Sequence, residues 1–401
     1  MRVLIYSHVF APSIGGVETI VQSLARGLDD SGSGHAQIGC RVTVVTQTAS
    51  NGFDDSAFSF TVVRCAGLAK LWKLIRENDV IHIAGPSLLP LFLGFLARKP
   101  VIVEHHGYQA ICPNGLLTYL PNRSVCPGHF QARRYRKCFR CQSCELSLYG
   151  TLVKFLLMFP RSWLVHKAAK NLTITRHVNE RHRLPRSEVV YYGIEDPLSK
   201  EALHPAINPP DRIIFAFVGR LVREKGIRVL LEAARQLVSE QEVFEIRLVG
   251  DGPERTALES IIRRDRLEGC VRITGFLTGA ALVDALRNVG VVVMPSVWEE
   301  TAGLAAIEHM MRGRVVIASE IGGLSEVVGN SGLRFAPGNS SALAECMRRV
   351  LHHSAWADEL GRSARVRALS LFARRRMIDE HRHVYREALK NAPTGASQNS
   401  L

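Results

Sequence analysis

The apolar positions of the chain form two alternating patterns. Short runs rich in Val, Ile and Leu predict buried strands, and the first of them is Val3–Ser7. The intervals between the runs carry apolar residues at helical spacing, beginning with Val17–Leu28, and predict helices. Regular alternation of strand and helix is typical of parallel sheets with right-handed crossovers.

The predicted strands fall into two groups. The first group consists of Val3–Ser7, Arg41–Thr46, Thr61–Arg64, Val80–Ile83, Val101–His105, Leu172–Thr175 and Val189–Tyr191. The second group consists of Ile213–Val218, Glu245–Val249, Val271–Thr274, Gly290–Met294, Arg314–Ala318 and Leu333–Phe335. Between them, the proline-rich stretch Leu203–Pro210 predicts a linker. We therefore expect an α/β fold with two doubly wound, Rossmann-like domains, over residues 1–200 and 211–370, that face each other across a ligand-binding cleft.

The two ends of the chain carry patterns of their own. Residues 371–390 predict a helix that packs back on the first domain, and residues 391–401 have the composition of a disordered tail. The first strand follows directly after Met1-Arg2, so we expect no secretory signal and a cytoplasmic location. No apolar run reaches the roughly 18 to 20 residues of a membrane helix, and the longest, Ser87–Ala97, predicts a buried helix.

Positive charge is concentrated in one part of the chain. The net charge is +14, and the segment from Arg98 to Glu188 alone contributes +12. A basic face of this kind attracts nucleic acid, an anionic lipid surface or a polyphosphate ligand. The segment contains no recognisable nucleic-acid recognition module, so we expect an anionic membrane surface, and no nucleic acid, as its partner.

Within this segment, Leu146–Val165 mixes leucines and aromatics with Lys154 and Arg161. The mixture is typical of a segment that lies in a membrane interface. A pair of core helices around Pro160 is the alternative, and the residues leave both interpretations open.

Five of the nine cysteines lie inside this basic insertion, over about residues 107–165: Cys112, Cys126, Cys138, Cys141 and Cys144. The last three form a Cys-x-x-Cys-x-x-Cys motif, whose spacing suits tetrahedral zinc or an iron–sulfur cluster. Such a metal would be structural. Free thiols and a disulfide are the alternatives.

The most informative motif contains two glutamates, Glu300 and Glu308, eight positions apart. A strand ends just before Pro295, and Leu304–Met311 predicts a helix, so both acids lie near a loop-to-helix junction. The free backbone N–H groups of such a junction bind anions. Two acids beside an anion site favour a ligand that is part phosphate and part polyol, as a nucleotide-sugar is. The alternative is a solvated helix start.

Three further loops follow predicted strands. Gly15 and Gly16 allow the backbone to approach a phosphate closely. Arg220 and Lys225 supply two cations that can neutralise a diphosphate leaving group. His106 follows the strand that ends at His105 and can hydrogen-bond a sugar hydroxyl. Each of these residues taken alone is as compatible with a structural role.

Together these motifs resemble the family 4 retaining glycosyltransferases, which have the GT-B fold. The resemblance extends from Met1 to about Lys390 and rests on motifs in the family's order: Gly15–Glu18, His106, Tyr192–Glu195, Gly219–Gly226, Leu248–Pro253, Thr274–Phe276, Pro295–Glu308 and Gly322–Glu326.

The resemblance implies a role for each candidate residue. Arg220 and Lys225 would hold the diphosphate of a UDP- or GDP-sugar donor, and Glu300 would bind hydroxyls of the transferred sugar. His106 would lie near the reacting sugar. The remaining donor-binding residues would be Glu308 at the ribose, Gly15 and Gly16 at the distal phosphate, Gly275 and Phe276 at the base, and Gly219, Thr301, Ala302, Gly303 and Leu304 at the phosphate and sugar. No cofactor would be required for catalysis, and the leaving phosphate would take the acceptor's proton in a front-face displacement.

The resemblance also implies a biological setting, and the sequence departs from the family in three places. A glycan or lipid-linked acceptor is expected, in cell-surface polysaccharide or glycolipid synthesis on the inner face of the plasma membrane. Tyr192 stands where Asn is usual, Ala302 is small, and His105 precedes His106. The alternatives are another GT-B enzyme, an epimerase or phosphorylase, or a basic nucleic-acid- or membrane-binding protein without catalysis.

Overall fold

A computed structural model describes residues 1–29, 40–198 and 212–391. The chain divides into two compact units. The first unit contains Met1–Glu195 and Ala373–Leu401, and the second contains Asp196–Phe372. The predicted linker at Leu203–Pro210 and residues 392–401 of the predicted tail lie outside the described residues.

Strands and helices alternate along the chain. Before residue 196 the elements are β1 (Arg2–Ser7), α1 (Gly16–Asp29), β2 (Arg41–Thr46), β3 (Thr61–Arg64), α2 (Leu68–Glu77), β4 (Val80–Ala84), α3 (Leu88–Leu96), β5 (Val101–His105), β6 (Thr118–Tyr119), β7 (Ser124–Val125), α4 (Tyr135–Gln142), α5 (Leu148–Lys167), β8 (Lys170–Thr173), α6 (Arg176–His182) and β9 (Ser187–Val189). After residue 211 they are β10 (Ile213–Val218), α7 (Ile227–Ser239), β11 (Phe244–Val249), α8 (Arg255–Arg264), β12 (Val271–Gly275), α9 (Gly279–Ala285), β13 (Val291–Met294), α10 (Leu304–Met311), β14 (Val315–Ser319), α11 (Gly322–Val328), β15 (Leu333–Phe335), α12 (Ser340–His352), α13 (Ser354–Leu371) and α14 (Arg374–Lys390).

A parallel seven-stranded sheet forms the centre of the first unit, with the strand order β3-β2-β1-β4-β5-β8-β9. Val3, Leu4 and Ile5 of β1 are fully buried, as is typical of a central strand in a parallel sheet. The last helix, α14, packs against α1 and β4 and therefore belongs to this unit, although it follows the second unit in the chain.

A parallel six-stranded sheet forms the second unit, in the order β12-β11-β10-β13-β14-β15. Its core includes Phe215 and Phe244, whose rings meet edge to face with centroids 6.3 Å apart. The predicted α/β class with doubly wound parallel sheets in two domains is thus confirmed.

In each unit the strand order reverses between two neighbours, β1 and β4 in the first and β10 and β13 in the second. Ligands of doubly wound sheets bind beyond the carboxyl ends of the strands at such a reversal. The loops after β1, β10 and β13 carry most of the candidate residues, so the fold places them where ligands are expected.

Two predicted strands begin earlier than their apolar residues indicate. β8 runs over Lys170–Thr173 rather than Leu172–Thr175, and β9 over Ser187–Val189 rather than Val189–Tyr191. A helix cap sets the end of β8, because the Thr175 hydroxyl accepts a hydrogen bond from the Val178 N–H and starts α6.

Two apolar helices, α3 before the basic segment and α5 within it, differ from expectation. α3 was predicted to be buried, which is wrong for one face, since Leu89, Phe92 and Leu96 are exposed. α5 is one continuous helix that contains Pro160 rather than a pair of core helices. No helix in the described part of the chain is long and apolar enough to cross a membrane.

Candidate functional site

The loop after β10 in the second unit carries both predicted cations. Gly219 begins it, and residues Arg223–Lys225 form a short 3-10 turn that Gly226 closes in a left-handed conformation, with φ of 65°. A Cβ at Gly226 would overlap the carbonyl oxygen of Pro295, in the loop after β13. Glycine is therefore required here twice, by its backbone conformation and by the close approach of the two loops.

An ion pair joins these two loops. The Lys225 Nζ donates a hydrogen bond to Oε1 of Glu300 over 2.9 Å, and the Ser296 hydroxyl donates to the same oxygen. The Val297 N–H also donates to the Glu224 carbonyl over 3.0 Å. The structure therefore brings together two residues that lie 75 positions apart in the sequence.

Glu300 is also held from the start of α11. The Gly323 N–H donates to the Glu300 carbonyl over 2.7 Å, and a Cβ at Gly322 would overlap the same peptide. Glu300 is only 4% exposed, but its Oε2 makes no hydrogen bond to any residue in the described ranges. That oxygen is left to accept from a ligand hydroxyl.

Arg220 differs from Lys225 in its surroundings. It is exposed directly after β10, and its guanidinium forms no ion pair or hydrogen bond with residues 1–29, 40–198 or 212–391. A guanidinium in this state presents its donors to solvent and can bind both oxygens of a phosphate.

The junction between β13 and α10 contains the remaining predicted donor contacts. Gly303 caps α10 with φ of 75°, Thr301 and Leu304 are half-buried, and Ala302 is buried. Glu308 lies half-buried in the second turn of α10. Burial raises the pKa of its carboxyl, and the charge of Arg312 partly opposes this.

The loop after β12 presents an aromatic ring. Gly275 ends the strand with φ of 80°, and its carbonyl accepts from the Gly250 N–H over 2.9 Å. Phe276 follows and is 64% exposed, so its ring is available for stacking on a planar base.

In the first unit, Gly15 and Gly16 lie at the start of α1. The Gly15 carbonyl accepts from both the backbone N–H and the hydroxyl of Thr19, which fixes the first turn. A Cβ at Gly15 would overlap the Glu18 carboxylate, which is the flexible end of that side chain and would have to move.

The two adjacent histidines have different surroundings. His105 is fully buried, with its Nε2 3.0 Å from Oδ1 of Asn171, and burial holds its pKa well below the usual range. His106 has its Nδ1 2.8 Å from the Tyr192 hydroxyl and its Nε2 3.5 Å from Glu104. Burial also lowers the pKa of His106, and the negative charge of Glu104 partly opposes this effect. His105 is therefore a core residue, and Tyr192 orients His106.

Four of the five clustered cysteines are buried: Cys112, Cys126, Cys138 and Cys141. Burial raises the pKa of Cys138 to about 12, with the neighbouring thiols adding to the effect. Cys144 is exposed. Among the described residues, no three cysteine sulfurs lie within 4.8 Å of one another, as ligands of one ion would. The metal site at these cysteines stays a prediction.

Sequence reasoning missed several residues that shape these sites. Ser296 and Gly323 hold Glu300, while Glu104 and Tyr192 hold His106. Ser296 and Gly323 were visible only as positions inside motifs, because a hydrogen bond between loops leaves no periodic signal. Tyr192 was noted only as a departure from the family.

Known proteins resemble the chain most clearly in its second unit. Residues 212–353 match the family model described as Glycosyl transferases group 1. A 2-deoxystreptamine glucosyltransferase of Streptomyces kanamyceticus is 36% identical over 140 residues, which cover 34% of this chain and 36% of that protein. A 2-deoxystreptamine N-acetyl-D-glucosaminyltransferase of Niallia circulans is 27% identical over 74% of this chain and 73% of its own length. Other curated relatives are matched over about half of their length, for example 46% of an alpha-D-kanosaminyltransferase from the same Streptomyces.

Solved structures resemble the whole chain. HepE of Anabaena, solved in complex with UDP, gives a TM-score of 0.71 at 18% identity, over 96% of this chain and 100% of that one. This likeness shows the fold, which is GT-B. The resemblance to the glycosyl transferases group 1 model extends over residues 212–353, which lie in the second unit.

Proposed function

We propose that the protein is a retaining, metal-independent glycosyltransferase that moves a sugar from a nucleotide-diphosphate sugar to a glycan or lipid-linked acceptor. The observation that carries this proposal is the Lys225–Glu300 pair at the reversal point of the second sheet. It places a cation and a buried carboxylate side by side, where doubly wound sheets bind their ligands. A ligand that contains both a phosphate and a polyol could bind the cation through its phosphate and the carboxylate through its hydroxyls.

The diphosphate is assigned to Arg220 and Lys225. Arg220 has no partner in the described part of the chain, and Lys225 keeps two further N–H donors beyond the one it gives to Glu300. Charge grows on the leaving diphosphate in the transition state, so donors already held in place stabilise it most. In this proposal the leaving phosphate oxygen accepts the proton of the acceptor hydroxyl on the face where the new bond forms.

The transferred sugar is assigned to Glu300. Lys225 and Ser296 both bind Oε1, and Oε2 is left to accept from sugar hydroxyls. A carboxylate fixed on one side loses little rotational freedom when it binds the sugar. Glu308 accepts from the ribose hydroxyls, and Phe276 stacks on the base.

A UDP-sugar is the favoured donor, with a GDP-sugar as the second candidate. Support comes from HepE, which has been solved with UDP and with UDP-glucose. Two similar proteins are a glucosyltransferase and an N-acetyl-D-glucosaminyltransferase, which is further support for a hexose as the transferred sugar.

An acceptor at a membrane surface is supported by the first unit. α5 exposes seven large apolar residues: Leu148, Tyr149, Leu152, Leu156, Leu157, Phe159 and Trp163. The neighbouring helix α3 adds Leu89, Phe92 and Leu96, and the two helices pack together. An apolar patch in a segment of net positive charge matches an anionic membrane interface. We propose a peripheral location on the cytoplasmic face of the plasma membrane.

The donor is tested by thermal unfolding with UDP-, GDP- and ADP-glucose. A bound donor raises Tm by mass action, so the UDP-sugar should give the largest increase. The increase should disappear in Arg220→Ala. Product formation should then be followed by NMR of the anomeric proton, with and without EDTA. An unchanged Tm with all three donors, or a product of inverted configuration, would contradict the proposal.

The cysteine-bound metal also remains a proposal. The buried thiols are a suitable donor set for a structural zinc or iron–sulfur cluster, but their spacing in the structure does not enclose an ion. Metal analysis of Cys138→Ser/Cys141→Ser against the native protein tests it directly.

A further inference from the structure

A carboxylate lies buried among histidines in the first unit, apart from the cysteines. Glu104 of β5 is 1% exposed, and His82 of β4 and His381 of α14 are each fully buried beside it. The His82 Nε2 is 3.1 Å from Oε2 of Glu104, and the His381 Nε2 is 3.7 Å from Oε1. Three elements that are distant in sequence thus converge on one carboxylate.

The spacing of these atoms suits a metal ion. One donor atom from each of His82, Glu104 and His381 lies within 4.8 Å of the other two. Donors about 2.0 to 2.1 Å from a tetrahedral zinc are about 3.3 to 3.4 Å from one another. The 3.1 Å distance joins His82 to Oε2 of Glu104 and the 3.7 Å distance joins His381 to Oε1, so each carboxylate oxygen lies beside one imidazole nitrogen. His106, with its Nε2 3.5 Å from Glu104, is the nearest further donor.

The other ring nitrogens are already occupied. The His381 Nδ1 donates to the Met377 carbonyl over 2.8 Å, and the His82 Nδ1 is 3.0 Å from the Tyr385 hydroxyl. A histidine that binds a metal through Nε2 usually has its Nδ1 held in this way. In neutral His381, the bond from Nδ1 leaves a lone pair on Nε2, directed toward Glu104.

Two atoms of the cluster have no hydrogen-bond partner in the described structure, namely Oε1 of Glu104 and Nε2 of His381. They are 3.7 Å apart and fully enclosed. Two acceptor atoms that face each other in a buried pocket repel unless a proton or a metal cation lies between them.

We propose that His82, Glu104 and His381 bind a structural divalent metal, most suitably zinc. Imidazole and carboxylate donors suit zinc, and a site closed to solvent is typical of structural ions. The ion would fasten α14 to β4 and β5, and so hold the returning end of the chain on the first unit. It would also fix Glu104, which contacts His106.

Metal content tests the site in the full-length protein. Native protein, expressed with added zinc and purified without chelators, should retain about one equivalent of zinc per chain at this site. The His381→Gln variant should lose that equivalent. The matched control is His383→Gln, two positions along the same helix and 66% exposed, which should keep the metal. Cys138→Ser/Cys141→Ser should also keep it, which separates this site from the cysteines. Native protein without metal, or equal content in His381→Gln and native protein, would overturn the proposal and leave a buried ion pair.

A spectroscopic test does not depend on a variant that folds. Native protein loaded with Co²⁺ should show the visible bands of a tetrahedral ion with nitrogen and oxygen donors. A strong sulfur-to-cobalt charge-transfer band as the sole signal would overturn the assignment. Removal of the metal by a chelator should lower Tm, because the ion would fasten α14 to β4 and β5. An unchanged Tm would count against a structural ion.

Discussion

The Lys225 Nζ lies 2.9 Å from Oε1 of Glu300, and this contact joins the loops after β10 and β13. A quarter of the Lys225 side chain is exposed, whereas Glu300 is almost fully buried. The cation therefore holds the carboxylate through one hydrogen bond and keeps two further N–H donors. Lys225, the proposed diphosphate contact, and Glu300, the proposed sugar contact, are thus joined through one atom, Oε1 of Glu300.

Removing a proposed phosphate cation should reduce kcat strongly. Lys225→Ala and Arg220→Ala should each lower kcat by about 100- to 1000-fold, because a donor that acts on the leaving group in the transition state contributes about that much. Arg223→Ala, in the same turn and exposed, is the matched control and should stay close to native activity. The assignment is wrong if either variant, correctly folded, retains activity within about threefold of the native enzyme.

Glu308→Gln should act on donor binding rather than on the chemical step. A hydrogen bond from a ribose hydroxyl to a charged acceptor contributes more than one to a neutral acceptor, so the donor KM should rise about tenfold with little change in kcat. Burial raises the pKa of Glu308, so the native enzyme should lose donor affinity with falling pH earlier than it would with a carboxyl of ordinary pKa. The Gln variant should lack this dependence. Steady-state kinetics at several pH values measures both effects, and a fall in kcat alone would contradict the ribose assignment.

The sequence predicted the fold far better than the details of the site. Thirteen apolar runs indicated the strands of the two main sheets, because a parallel strand is buried on both faces and leaves a continuous signal. The Lys225–Glu300 pair was foreseen only as two residues of one donor site. Their direct contact depends on β10 and β13 being neighbours in the sheet, and strand order is not written in local periodicity. The cluster at Glu104 was missed for the same reason, since β4, β5 and α14 meet only in the folded chain.

Gly226 should tolerate no side chain. Gly226→Ala adds a Cβ in a left-handed conformation and directly against the Pro295 carbonyl, so the second unit should lose about 4 kcal/mol or more. Gly279→Ala is the matched control, because its φ is 54° and no atom lies within 4 Å of the added Cβ. It should cost only about 1 to 2 kcal/mol. Urea unfolding compares the two, and equal losses would show that the loop contact contributes nothing.

The exposed face of α5 should bind anionic membranes. Trp163 is 62% exposed and Leu156 53%, and their replacement by Ala should weaken binding to vesicles that contain anionic lipid. Val283→Ala in the second unit, 61% exposed, controls for apolar area in general. Sedimentation with anionic and zwitterionic vesicles measures the partition. Binding that the α5 variant leaves unchanged would contradict the proposed membrane surface.

His182 should make the stability of the protein sensitive to acid. Burial lowers its pKa to about 4, from 6.5 in the unfolded chain, and its Nδ1 donates to the Val178 carbonyl over 2.9 Å. Between these two values the unfolded chain binds one proton more than the folded protein, so stability is full above pH 6.5 and falls as the pH drops toward 4. The difference of roughly 2.5 pH units corresponds to about 3 kcal/mol of stability.

The His182→Gln variant cannot titrate at this position. Between pH 6.5 and pH 4, the slope of its free energy of unfolding against pH should therefore be smaller by the contribution of one proton, about 1.4 kcal/mol per pH unit. His8→Gln, at an exposed position, should keep the native dependence. Urea unfolding at intervals between pH 7 and pH 4 tests this directly, and an equal slope in the His182 variant would show that this ring is not the group that titrates.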